Sequence, residues 1–169
     1  VAESTDAEGD TYTVGIIQLV EHQALDAATQ GFEDALTDKL GDKVTFDYQN
    51  AQGEATNCAT ISTKFVNDGV DLIMANATPA LQAAQAATNT IPILGTSVTE
   101  YGVALGISNF DGTVGGNISG TSDLAPLDQQ AAMIQELFPD AKTVGLIYCS
   151  AEANSQYQVD VVKAELEKL

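Results

Sequence analysis

With 169 residues, 44% of them apolar and 18% charged, the chain is long enough to bury a core, and no run approaches the ~18 apolar residues that would span a bilayer. Six Lys and Arg stand against 24 Asp and Glu, a net charge of −18, so a nucleic-acid backbone or an anionic membrane surface would be repelled over the whole surface. Nucleic acid is excluded as a partner, and the composition reads as one soluble domain, or one domain and part of another.

Residues 1–11 open with Val1 rather than Met and carry Glu3, Asp6, Glu8 and Asp10. So short and polar a stretch has too little apolar surface to fold, which predicts a flexible tether or the mature N-terminus left by a removed targeting segment. The first apolar run, Val14–Val20, leads into Glu21-His22-Gln23. After it, Leu25, Ala28, Phe32, Ala35, Leu36 and Leu40 recur at helical spacing until Gly41, which predicts a helix lying on a sheet.

A second run, Val44–Tyr48, enters the polar turn Gln49-Asn50-Ala51-Gln52-Gly53. A helix is expected from about Glu54 to Asn67, burying Cys58, Ile61, Phe65 and Val66 and closed by Asp68-Gly69. Leu72–Ala75 then runs into Asn76-Ala77-Thr78-Pro79, where Pro79 suits a first helical position and Thr78 its cap, ahead of the Ala-rich Leu81–Ala87. Ile93–Gly95 precedes Thr96-Ser97-Val98-Thr99.

From Tyr101 to Thr121 glycine is dense, and Val103–Ile107 and Asn117–Thr121 are expected as short strands between turns. Asn109-Phe110-Asp111-Gly112 has part of a calcium loop's spacing but lacks the remaining ligand positions, so it reads as a turn. A new unit begins at Ser122. Asp123 is its expected cap, Leu127–Phe138 an amphipathic helix stopped by Pro139-Asp140, and Thr143–Cys149 a buried strand. The strand opens into Ser150-Ala151-Glu152-Ala153-Asn154, and Gln156–Leu169 is a last helix.

Strand, polar turn and helix in repeated order imply an α/β fold, a Rossmann-like parallel sheet flanked by helices. Right-handed crossovers would place the turns after Val20, Tyr48, Ala75, Gly95 and Cys149 along one carboxyl edge, where open α/β proteins bind ligands. A small-molecule cleft follows. Enzyme chemistry has little support: there is no metal-ligand cluster, no G-x-G-x-x-G and no P-loop, and Cys58 and Cys149 are too far apart for a C-x-x-C pattern. Cys149-Ser150 with His22, the one histidine, could be written as nucleophile and base, but nothing in the sequence brings them together.

Five strings fall in order at these turns: Gly15 through Ala28, Asn50-Ala51-Gln52-Gly53, Ala77-Thr78-Pro79-Ala80, Gly116 through Asp123, and Ser150 through Ser155. Together they resemble the ABC-transporter substrate-binding proteins whose characterised members take tryptophan and related aromatic amino acids, over about Tyr12 to Leu169. The resemblance implies a type I periplasmic-binding-protein fold of two Rossmann-like lobes joined by crossing strands. Residues 12–121 would be the first lobe, and 122–169 the hinge crossing and the beginning of an incomplete second lobe, since family members run to nearly twice this length. It also implies a non-catalytic solute-binding protein outside the cytoplasmic membrane, lipoprotein or periplasmic, that hands an amino acid to an ABC permease. A monomer without cofactor or metal is expected. The alternatives are a ligand-sensing receptor domain of the same fold and a hydrolase.

A zwitterionic ligand needs a partner for each charge. Thr78, with the free N–H groups of the following helix start, suits the carboxylate, and Ser97 and Thr99 offer further hydroxyls. Glu21, Asp123 and Glu152 are candidates for the ammonium, with Asp123 favoured. His22 could meet the carboxylate, stack on an aromatic side chain or only orient its turn, Asn50 and Gln52 sit in the second turn, and Glu152, Asn154 and Ser155 would close from the second lobe. The bland readings are helix caps and solvated acids.

Overall fold

The computed structural model describes residues 11–169, so apart from Thr11 the expected tether over residues 1–11 lies outside the described residues. Five strands, β1 (Tyr12–Gln18), β2 (Val44–Asn50), β3 (Leu72–Asn76), β4 (Ile93–Val98) and β5 (Ile118–Ser122), form one sheet in the order β2-β1-β3-β4-β5. Every pairing is parallel. Gln18 is level with Asn50 on one side and Asn76 on the other, and Asn76 with Thr96, so the strand ends make one even rim.

Both faces of β1 are apolar because helices cover both. On one face Val14, Ile16, Val44 and Met74 meet Phe32, Leu36 and Leu40 of α1 (Gln23–Leu40). On the other, Ile17, Ile73, Ala75 and Ile93 pack with Phe65 of α2 (Ala55–Asp68) and Leu81 of α3 (Thr78–Ala87). Each fully buried side chain of this size contributes about 1.5–3 kcal/mol. Gly15 is required in β1 because a Cβ there would run into the Phe65 ring.

Helix ends follow their local chemistry. Gly69, in the left-handed region at φ 68°, closes α2 by donating to the carbonyls of Phe65 and Val66, as the Asp68-Gly69 pair predicts. Val103–Ile107 is not a strand: Tyr101–Leu105 is the short helix α4. The Glu100 carboxylate accepts from the N–H groups of Gly102 (3.0 Å) and Val103 (2.6 Å), and Gly106 ends the turn. Buried Tyr101 and Ala104 are therefore one helical turn apart, where an alternating pattern would have put them on opposite faces.

Thr143–Cys149 also departs from the expected buried strand. This run is exposed and forms no strand. A strand needs a ladder on at least one side for its N–H and C=O groups, and no described strand pairs with it. The fifth turn on the rim follows β5, at Asp123, and not Cys149. Helices α5 (Leu127–Leu137) and α6 (Ala153–Leu166) pack on each other and flank the run, with a groove of about 390 Å³ lined by Phe138, Val144, Leu146 and Leu166. The last helix thus begins three residues earlier than Gln156, and α5 is preceded by Pro126 rather than capped by Asp123. Among the described residues no helix is long and apolar enough to cross a membrane.

Candidate functional site

The polar turns after β1 to β5 are tied into one row along the carboxyl edge. Gln18 and Leu19 accept from the N–H groups of Ala51 (2.8 Å) and Gly53 (2.7 Å), linking the β1 and β2 turns. Leu19 N–H donates to Asn76 O (3.2 Å), Ala77 N–H to Thr96 O (3.0 Å) and Asp123 N–H to Val98 O (3.1 Å), which carries the row through β3 and β4 to β5.

Backbone strain collects here. Of the four non-glycine residues with positive φ among those described, Gln52 (56°) and Ala77 (98°) lie just past the ends of β2 and β3, and Ser97 (54°) is next to last in β4. Ala77, with ψ 157°, occupies a region that is almost exclusive to glycine. Such conformations cost about 1–3 kcal/mol each and persist where surrounding structure holds them.

Thr78 is 2% exposed, and its hydroxyl has no protein hydrogen-bond partner. It does not cap α3, because Ala77 holds the cap position and Thr78 begins the helix. An acceptor supplied by a ligand would satisfy this hydroxyl beside the free N–H groups of the α3 start. Ser97 is half-buried and Thr99 buried, the Thr99 carbonyl accepting from the Ser122 hydroxyl at 2.8 Å.

Asp123 is exposed at the β5 end of the row. Its charge adds to burial, the larger cause, in pushing the Tyr101 phenol up to about 12. Tyr101 lies over Gly95 and Gly120, where a Cβ on either glycine would strike its hydroxyl, and it donates to the Thr121 carbonyl at 3.2 Å.

Toward β1 and β2 the candidates are exposed or engaged locally. His22 caps α1, its Nδ1 accepting from Ala24 N–H at 3.2 Å, so the turn-orienting role is the one this geometry displays. Glu21 is exposed, and Asn50 Oδ1 accepts from Gln52 N–H at 2.8 Å in a local turn. Glu152, Asn154 and Ser155 sit at the start of α6. Ser155 Oγ accepts from Cys149 N–H (3.0 Å) and Asn154 Nδ2 reaches Glu152 (3.5 Å), while Asn154 Oδ1 is buried without a partner. Those contacts stay within their own segment and do not join the row. Glu152, not Asn154 or Ser155, holds the cap position of α6.

Sequence reasoning passed over Gln18, Thr29 and Asn76, which are buried and bonded to one another beneath the β1 and β3 turns. The available signal was a polar residue closing an apolar strand run. No cluster of His, Cys, Asp and Glu fit for a metal occurs among the described residues. Burial pushes the Cys58 thiol up to about 11, which makes it a poor nucleophile. A cavity of about 400 Å³ lies beside β5, lined by Tyr101, Phe110, Val114 and Ile118, and does not include Thr78, Ser97 or Asp123.

A family model described as ABC transporter substrate binding protein matches residues 13–169. A tyrosine-binding protein from Clostridioides difficile (strain R20291) is 46% identical over 150 residues, covering 87% of this chain and 43% of its own length. The ABC domain from Streptococcus pneumonia in complex with L-Trp superposes with a TM-score of 0.85 at 35% identity. The ligand-free, open structure of a substrate-binding protein with adhesive properties from Clostridium difficile gives 0.71 at 42% identity. Each of these two matches covers 94% of this chain and 54% of the other. The chain therefore spans about half the length of the relatives it matches, and its fold is the α/β architecture of type I periplasmic binding proteins. A parallel sheet with its polar turns in one row, matched from residue 13 to residue 169, belongs to the ABC-transporter substrate-binding protein family.

Proposed function

We propose that the whole protein is the extracytoplasmic solute-binding component of an ABC importer and that this chain carries one side of its cleft for an aromatic amino acid. The family is one of substrate-binding proteins, not enzymes. One relative is named for tyrosine and one solved structure holds L-Trp, which supports the aromatic class.

The observation that carries the reading is the buried, unpartnered Thr78 hydroxyl between the strained Ala77 and the start of α3. An unsatisfied buried hydroxyl costs about 1–3 kcal/mol, which a ligand carboxylate would recover. Ser97 in β4 and Thr99 just after it are proposed to add hydroxyls, and Asp123 is the proposed partner of the ammonium. Glu152, Asn154 and Ser155 would close over the ligand, so that contacts on both sides exist only in the closed form and binding shifts that population. Release to the permease reverses the shift.

Calorimetry of the full-length protein against L-tyrosine, L-tryptophan and the other amino acids tests the reading. Saturable heat with an aromatic amino acid, weakened about tenfold by Thr78→Val, is the expected result. Binding of sugars with no response to any amino acid would overturn it.

A further inference from the structure

Gln18, Thr29 and Asn76 are buried where the sheet meets α1, between the apolar side chains of that face and the polar Asp26, Gln30 and Glu33. Gln18 and Asn76 are paired in register at the ends of β1 and β3. Thr29 stands between them: its hydroxyl donates to Gln18 Oε1 at 2.7 Å and accepts from Asn76 Nδ2 at 3.0 Å. The remaining amide hydrogens reach outward. Gln18 Nε2 donates to Val20 O (3.0 Å) and to Asp26 Oδ1 (2.6 Å), and Asn76 Nδ2 donates to Leu25 O (2.8 Å).

Every amide hydrogen of the network is used, Asn76 Oδ1 is buried without a partner, and the Leu25 carbonyl fixes which way Asn76 points, since the reversed amide would set oxygen against oxygen. Apolar residues would fill this volume equally well, as Val14, Ile16 and Met74 do on the same face. What they could not do is hold the carbonyls of Val20 and Leu25 and the carboxylate of Asp26, all in or beside the β1 turn. The same Asn76 is the last residue before Ala77 and Thr78.

We propose that Gln18, Thr29 and Asn76 are positioning residues that couple the β1 turn to the β3 turn, so that Glu21-His22 and Thr78 present one geometry to a ligand. The inference rests on the binding-site reading above, in which both turns face the same solute. Thr29 is the side-chain link: among the described residues its hydroxyl alone joins the side chains of the two strand ends, beside the Leu19 N–H to Asn76 O bond and the Asn76 Nδ2 to Leu25 O bond.

The test uses the full-length protein with Thr29→Val, which keeps the shape and deletes the hydroxyl, and Thr29→Ser, which restores it. Val44→Ala, at the amino end of β2 and far from the rim, is a destabilised control. Amide hydrogen exchange without ligand and calorimetry with L-tyrosine and L-tryptophan are read side by side. Thr29→Val should speed exchange about tenfold at both Ala24 and Ala77 and weaken binding about tenfold. Thr29→Ser should stay within about twofold of wild type, and Val44→Ala should lower Tm while leaving both readouts unchanged.

Loosening of one turn without the other, or wild-type affinity in Thr29→Val, overturns the coupling. If Thr29→Val does not fold, Gln18→Met, which deletes the bonds to Val20, Asp26 and Thr29, is judged on the same readouts. A wild-type protein that binds neither amino acid, with both turns still loosened in the variant, removes the ligand reading and leaves the coupling standing.

Discussion

Thr13-Val14-Gly15-Ile16-Ile17 and Thr143-Val144-Gly145-Leu146-Ile147 are nearly the same sequence in two different states. The first is the central part of β1, with β2 and β3 on either side, and its Ile17 is fully buried. The second is an exposed segment whose Ile147 is 101% exposed. Gly15 receives the Phe65 ring, whereas nothing approaches Gly145. An apolar run with strand propensity is necessary for a buried strand but becomes one only when neighbouring strands satisfy its backbone and helices cover its faces.

The contrast breaks most visibly at the large side chains. Ile16→Ala should cost about 3–4 kcal/mol in urea unfolding of this chain followed by circular dichroism, and Leu146→Ala less than about 0.5 kcal/mol. Equal losses would mean that the second run is as well packed as the first.

The glycines sharpen it. Gly15→Ala forces a methyl into Phe65 and should cost about 2 kcal/mol, while Gly145→Ala meets open space and should be neutral by the same measurement.

Smallest is a pH effect at Tyr101. Its phenol is raised from 10.0 to about 12, so the neutral form is favoured by folding. The stability this contributes is fully present below pH 10 and is lost as pH rises toward 12, falling by about 1 kcal/mol between pH 10 and 11. Tyr101→Phe should remove that slope in urea melts across the window, with the half-exposed Tyr148 as the control position.

Periodicity made most of the rim legible. The turns after β1, β2, β3 and β4 stand where the runs ending in Val20, Tyr48, Ala75 and Gly95 put them, because a parallel sheet built from right-handed crossovers has only one edge for such turns. Thr78 was placed on that edge by the same logic, whereas Asp123, expected as the cap of the next unit, comes to the rim because β5 ends at Ser122. Their surroundings were not legible: Ala77 adopts a backbone that alanine rarely takes, and Thr78 is buried in place of capping its helix. Val103–Ile107 misled because its apolar alternation is equally compatible with one helical turn, and the Glu100 carboxylate, seven residues after Ile93, decided for the helix.

Local pattern was enough for the α/β class, the helix stops at Gly41 and Gly69, and the gathering of polar turns beyond apolar runs, because these depend on local spacing and backbone freedom. Which of two almost identical Val-Gly-Leu/Ile-Ile runs is a strand within these residues, and that Gln18, Thr29 and Asn76 meet beneath the rim, depended on packing between distant segments. Ladders and buried polar networks join residues far apart in the chain, and no local pattern records which partners will be present.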